Sequence, residues 1–235
     1  MLQIRPSEAR GHVVSDWLDS RHSFSFGEYH DPDHMGVSVL RVINEDHIAP
    51  GRGFGTHPHN DMEIVTYLLS GELEHRDSMG NGSVIRPGDI QRMSAGSGVT
   101  HSEVNPSSSD EAHLLQIWFL PNRRGVEPGY AQRTLSEGER EGRLALLISP
   151  DGRDGSVAAH TDARMYATIL QPGQGVAHEF DDQRLAYVQV ARGVVELDGT
   201  RLQAGDAATV SEVPACVIRA IEPAEVLLFD LPGQS

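Results

Sequence analysis

Two pairs of residues in this chain have the types and the spacing of metal ligands. His57 and His59 lie two positions apart, and so do His101 and Glu103. Side chains on a β-strand repeat with period two, so each pair points to one side of its sheet. Three imidazoles and one carboxylate converging from two strands form a ligand set for a divalent transition ion. Imidazole suits Fe, Cu, Ni or Zn, and the carboxylate oxygen tilts the set toward a harder, redox-capable ion. Structural zinc sites are typically closed and cysteine-rich, and no cysteine lies nearby. Either pair alone would be unremarkable, because both patterns arise often by chance. Their occurrence together on predicted strands carries the reading.

Glu63 competes with Glu103 for the carboxylate role. It follows His59 by four residues, so a regular strand would put it on the same face, as a ligand or as an acceptor for a histidine N–H. Asp61 shares that parity but sits nearer a turn. Asn105 shares the face of His101 and Glu103 and is suited to holding the ligand strand by hydrogen bonds. Gly96 and Gly98 give the backbone freedom for a sharp bend before His101.

The elements that must position these residues are strands. Short segments rich in β-branched residues recur at even intervals: 37–44, 62–69, 72–76, 83–86, 90–93, 99–104 and 113–119. A strand is also expected at 23–27, and a short helix capped by Ser15. The Gly-rich stretch 48–55 reads as a turn into the first ligand pair. It lacks a Lys-Ser or Lys-Thr ending and opens no helix, so the signal for a phosphate cradle is weak. His30 and His34 fall in a loop, as exposed residues or as the lining of a mouth. Residues 123–143 are polar and charged and read as a linker with one short helix. Strands resume at 145–148, 164–170, 185–191, 194–197, 207–210, 216–220 and 226–229. The halves echo each other, Gly71 and Gly88-Asp89 in the first, Gly193 and Gly205-Asp206 in the second, with 75–85 as an insertion. The second half has no paired histidines, so His160 and His178 are not expected to hold a metal. Regular short strands separated by turns imply an all-β barrel or sandwich.

The 235 residues suffice for two barrels of roughly 100 residues each. The 34 acidic against 19 basic residues give a formal charge of −15. That argues against direct nucleic-acid or anionic-membrane binding, which needs clustered Lys and Arg. The only cysteine is Cys216, which rules out an internal disulfide and suits a reducing cytoplasm. The first ten residues are too charged for a secretory signal, and no apolar run approaches the roughly 18 residues of a spanning helix. A cytoplasmic location is the expectation.

The chain resembles the cupin superfamily. Gly51, His57-x-His59-x3-Glu63 and Gly71 look like its first motif; Pro87-x-Asp89 and Gly98-x2-His101-x3-Asn105 look like its second, with Gly96 where proline is common. More narrowly it resembles the pirin family, in the bacterial group described as quercetin 2,3-dioxygenase-like. Trp17-Leu-Asp-Ser, Asp31-Pro-Asp-His-Met-Gly, His57-Pro-His-Asn-Asp-Met-Glu-Ile, Asp77-Ser-Met-Gly-Asn and His101-Ser-Glu-Val-Asn-Pro carry the likeness, which covers most of residues 12–121. Beyond residue 122 it is looser.

The resemblance implies an all-β bicupin, two antiparallel jelly-roll barrels in one chain. It places an N-terminal metal-binding domain at 1–122, a linker at 123–143 and a degenerate C-terminal domain at 144–235, with strand exchange between the two allowed. It puts the metal ligands at His57, His59, His101 and Glu103, choosing Glu103 over Glu63. The implied ion is iron(II), with Zn, Ni, Cu, Mn or Co as substitutes. The implied activity is oxidative opening of a flavonol such as quercetin by O2 with release of carbon monoxide, with Glu103 as base. Phe24, Phe26 and Phe54 are candidate apolar walls for the aromatic substrate. The alternative is a metal-dependent regulatory protein that binds a protein partner. A cupin sugar isomerase ranks last, because Arg41, Arg76, Arg86 and Arg92 form no evident phosphate cluster.

Overall fold

The structure, a computed structural model, describes residues 1–136, 138–181 and 183–233. These residues are strands and turns, with two single-turn 3-10 segments at Ser7–Ala9 and Arg153–Gly155. No described helix is long and apolar enough to cross a membrane. The chain divides into two compact units. One comprises 11–135 and 159–161; the other comprises 1–10, 136–158 and 162–235.

The first unit has a seven-stranded antiparallel sheet. Its spatial order is Gly129–Thr134, Asp89–Ser94, Glu63–Ser70, Ala112–Phe119, Leu40–Ile48, Leu18–His22, Gly11–Val14. A four-stranded sheet, Gly53–His59, Val99–Val104, Leu73–Asp77, Gly82–Ile85, completes it. The sheets share an apolar core in which Leu68 and Leu114 of the larger pack with Leu73 and Ile85 of the smaller. Burying such side chains contributes about 1.5–3 kcal/mol each.

The second unit repeats the plan. Its larger sheet runs Leu2–Arg5, Ala207–Val210, Arg184–Arg192, Ala224–Pro232, Arg164–Leu170, Ala145–Ser149, Val157–Ala158. Its smaller sheet runs Gly175–Glu179, Ala215–Ala220, Val194–Leu197, Thr200–Gln203. The echoes seen in the sequence are the same turns made twice. Gly71 and Gly193 have φ of 78° and 76°. A Cβ on either would strike a backbone carbonyl, that of Glu111 or of Pro223. Asp89 accepts the backbone N–H of Arg86 at 2.9 Å, and Asp206 that of Gln203 at 3.0 Å. The hairpin Leu73–Asp77/Gly82–Ile85 has its counterpart in Val194–Leu197/Thr200–Gln203, so 75–85 is not an insertion as a whole; the longer turn at 78–81, against 198–199, supplies only part of the extra length.

Several expectations are corrected. Residue 15 starts no helix. Ser15 Oγ accepts the N–H groups of Trp17 and Leu18 in a turn, and the strand Leu18–His22 follows. Residues 23–27 are not a strand, because Ser25 Oγ is bonded to the backbone of Asp31 and Gly27 turns the chain at φ 58°. The strand predicted from residue 37 starts at Leu40, after a tight turn through Ser38 at φ 54°. The segment 123–143 carries no helix among its described residues. Within it Gly129–Thr134 is a strand paired with Asp89–Ser94 and fastened by side chains. Gln132 and Thr134 donate to the Asp89 carboxylate at 3.1 and 2.6 Å. Residues 1–10 group with the second unit, where Leu2–Arg5 pairs with Ala207–Val210, an exchange of the kind the expected division allowed.

Candidate metal centre

The strands Gly53–His59 and Val99–Val104 run antiparallel, with His57 opposite His101 and His59 opposite Val99. The register shifts between His101 and Glu103, so that Glu103 faces Phe54. Two residues, Gly55 and Thr56, thus stand against one, Ser102. This bulge breaks the strict alternation and puts Phe54 on the same side as His57 and His59. All three side chains line a cavity of about 350 Å³, together with His101 and Glu103.

The three imidazoles converge. Ring centroids are 4.7 Å apart for His57 and His59, 4.5 Å for His57 and His101, and 4.8 Å for His59 and His101. Two hydrogen-bond chains orient their lone pairs. His57 Nδ1–H donates to the Gly55 carbonyl at 2.8 Å, leaving Nε2 bare. The buried Asp77 carboxylate receives His75 Nε2–H at 3.1 Å. His75 Nδ1 then faces His101 Nδ1 at 3.4 Å, which leaves His101 Nε2 bare as well. These two bare nitrogens confront each other at 3.0 Å. Two lone pairs at that distance repel unless something positive lies between them.

Protonation of His59 and His101 is disfavoured by their surroundings. Burial, with the neighbouring His57, pushes His59 down to about 4. Burial, with His57, His59 and His75, pushes His101 down to about 3. Both rings are neutral near pH 7 and offer lone pairs to a metal. The donor set fits a divalent transition ion.

Glu103 is buried on the adjoining strand position. Gln116 Nε2 donates to both its oxygens at 3.1 and 2.9 Å, and Thr66 Oγ1 donates at 3.3 Å. Burial raises its pKa against the pull of those hydrogen bonds. Its carboxylate groups with His101 and His75, all within 4.8 Å, as the three imidazoles of His57, His59 and His101 do among themselves. His101 is common to both groups.

Glu63 does not join them. The chain turns at Asp61, φ 45°, so Glu63 opens a different strand from His59 and the parity argument lapses. Ile64 lines the cavity, so its neighbour Glu63 points away, where it accepts Ser94 Oγ–H at 2.8 Å. Asp61 accepts the Gly125 N–H. Asn105 holds the loop after the ligand strand, donating to the carbonyls of Ile48 and Asp110. Gly96 and Gly98 have φ of 47° and 136° and make the expected bend. His34 bonds Asp31 and His30 is exposed, and the loop lines the cavity through Phe26, Gly27 and Glu28 instead. Phe24 is in the core.

The sequence reading missed His75 and Asp77, although they repeat the two-residue spacing on a strand paired with Val99–Val104. It also missed a polar chain on the cavity wall. His22 Nε2 lies 2.8 Å from Ser20 Oγ, which donates to Asp46. Burial and the Glu103 charge raise Asp46 to about 7, against the Ser20 bond.

Residues 3–119 match the Pirin family, and residues 146–231 match the quercetinase C-terminal cupin domain. The chain is 45% identical over 232 residues to a quercetin 2,3-dioxygenase of Escherichia coli strain K12, covering 99% of both. It is 38% identical over 231 residues to a pirin-like protein of Caulobacter vibrioides, covering 98% of this chain and 99% of that one. The crystal structure of the bacterial pirin YhhW from Escherichia coli in complex with nickel(II) superposes with a TM-score of 0.94 at 45% identity, over 100% of both chains. A quercetin 2,3-dioxygenase from Acinetobacter baumannii shares the fold, with a TM-score of 0.78 at 19% identity over 99% of this chain and 79% of that one.

Proposed function

The chain belongs to the pirin family, and from that premise we propose that it is a metal-dependent dioxygenase that opens flavonols such as quercetin. One observation carries the reading: bare imidazole nitrogens and a buried carboxylate meet in a cavity walled by Phe26, Phe54, Ile64 and Trp118. His57, His59, His101 and Glu103 would hold one divalent ion, which we assign as iron(II). When bound, such an ion supplies Lewis acidity toward a phenolic oxygen and one-electron chemistry with dioxygen. The nickel complex of the related pirin supports a divalent ion in this fold.

The remaining work falls to the chain. The apolar walls take the flavonol rings and exclude water. Asn44 Oδ1 and Trp118 Nε1 belong to cavity-lining residues, are buried, and have no hydrogen-bond partner among the described residues. Buried polar atoms want partners, and phenolic hydroxyls supply both kinds. Glu103 takes the proton of the 3-hydroxyl on a carboxylate oxygen. Gln116 and Thr66 hold that carboxylate in place. In the overall reaction flavonol and O2 give a ring-opened ester and carbon monoxide.

The test is oxygen uptake and carbon monoxide release with a flavonol panel, on protein loaded separately with iron(II), nickel(II) and zinc(II). Turnover of quercetin by the iron(II) form is expected. His57→Ala should abolish it together with metal retention, and Glu103→Gln should lower kcat by about 10²–10⁴. Absence of oxygen uptake with every flavonol and every metal would replace this reading with a metal-dependent regulatory role.

A further inference from the structure

A second group of donors lies on the sheet face opposite the cavity. Asn44, Asp46, Gln116 and Trp118 face the cavity, so Glu45, His47 and His113 on the same strands face away. The strands Leu40–Ile48 and Ala112–Phe119 are antiparallel, with His47 directly across from His113. Their rings stack with centroids 3.9 Å apart and planes 17° off parallel. His113 Nε2 is 3.0 Å from Glu45 Oε1, and His47 Nδ1 is 2.6 Å from Glu111 Oε1. His113 therefore takes its carboxylate from the opposite strand, and His47 from the residue that precedes the strand of His113.

We propose that Glu45, His47 and His113 form a peripheral site for a second divalent ion of the zinc class, with Glu111 orienting His47. One candidate ligand atom from each of the three residues already lies within 4.8 Å of the others. Donors around one tetrahedral zinc sit roughly 3.3 Å apart, given Zn–N bonds of about 2.0–2.1 Å. The His113–Glu45 pair is at that spacing, so an ion takes the place of the proton they share. Glu111 holds the Nδ1 proton of His47 and leaves Nε2 to bind, the carboxylate–histidine arrangement common behind metal ligands. The rings must tilt out of their stack for the nitrogen lone pairs to converge. The side chains have room to do so, with exposures of 36% for His47, 16% for His113 and 14% for Glu45. Solvent reaches the site and supplies water as a further ligand. Two imidazoles with one carboxylate select zinc, nickel or copper over magnesium or calcium. The ion would clip together the two strands whose other face supplies Asp46 and Gln116 to the cavity.

The proposal does not depend on the flavonol reading, and its test counts ions rather than turnover. Zinc(II) is titrated into metal-free protein against a chromophoric chelator, with native mass spectrometry reading the stoichiometry. Two ions are expected for the natural chain, one for His57→Ala/His59→Ala, and none when His47→Ala and His113→Ala are added. A main-centre variant that binds no zinc overturns the proposal, as does one that keeps its ion after both peripheral histidines are replaced. Should the main-centre variant not fold, His47→Gln/His113→Gln in the natural background must lower the count from two to one. An unchanged count there overturns the proposal as well.

Discussion

At the scale of single residues, the orientation of His101 depends on groups that never touch the cavity. His75 and Asp77 have fully buried side chains. Burial would raise Asp77, but hydrogen bonds from Asn81, His75 and two backbone N–H groups hold it below the usual carboxylate range. It is therefore a permanent acceptor that fixes the His75 tautomer and, through it, that of His101. Replacing a partner behind a metal ligand typically costs 10–100-fold in affinity. His75→Ala is expected to weaken iron(II) or nickel(II) binding by that factor, and Asp77→Asn by less, since an amide still accepts one hydrogen bond. Chelator competition measures both, and unchanged affinity in His75→Ala would contradict the relay. Asp46 gives a second residue-scale expectation. Its pKa is about 7 in the fold against 3.8 as the ordinary value, so the folded state binds this proton more tightly than the unfolded chain does. Its cost to stability is absent below about pH 4, grows as pH rises toward 7, and is constant above, reaching roughly 4 kcal/mol. Denaturant titration of metal-free Asp46→Asn at pH 5 and pH 8 should show a gain over the natural chain that is larger at pH 8.

At the scale of elements, the two halves use the same glycine in the same place. Gly71 and Gly193 each hold a left-handed turn against a neighbouring carbonyl. Gly71→Ala and Gly193→Ala should each cost about 1–3 kcal/mol from the backbone alone, with the collision added. Thermal unfolding should shift down by about 2–4 °C per kcal/mol for a chain of this size. A variant as stable as the natural chain would mean that the turn relaxes freely. These glycines were legible because only one residue type serves there. The convergence of the three imidazoles was legible for the same reason: period two is a strict rule on a strand, and His57, His59 and His101 obey it. The strand Gly129–Thr134 was hidden because its alternation is polar; Tyr130, Gln132 and Thr134 are fastened by hydrogen bonds, not by a greasy face. Glu63 stayed open on the residues alone because parity holds only within one strand, and the turn noted near Asp61 was not carried through to separate Glu63 from the strand of His59. His75-x-Asp77 offered the same signal as the ligand pairs but lay in a stretch read as an insertion.

At the scale of the whole molecule, each unit protects the same edge by borrowing a segment from outside its expected span. The strand that follows each Gly-Asp turn, Asp89–Ser94 or Ala207–Val210, would otherwise end its sheet with unpaired backbone groups. Gly129–Thr134 covers the first and Leu2–Arg5 the second. The second cover is pinned at its turn. Asp206 accepts the Ser7 N–H at 2.8 Å while also accepting the Gln203 N–H, and Arg10 Nη2 donates to Ser7 Oγ at 3.0 Å. Removing residues 1–10 should therefore expose Ala207–Val210 and unpin the turn before it. Calorimetry is expected to show the second unit unfolding earlier, and light scattering to show concentration-dependent self-association through the bared edge. Asp206→Ala should produce a smaller shift, on the order of 1–3 kcal/mol, because it leaves two backbone donors without their acceptor. The ion count at His57, His59 and His101 should stay unchanged in both variants, since every ligand strand lies within 11–135. Loss of that ion on truncation would show that the first ten residues support the metal centre as well as the edge they cover.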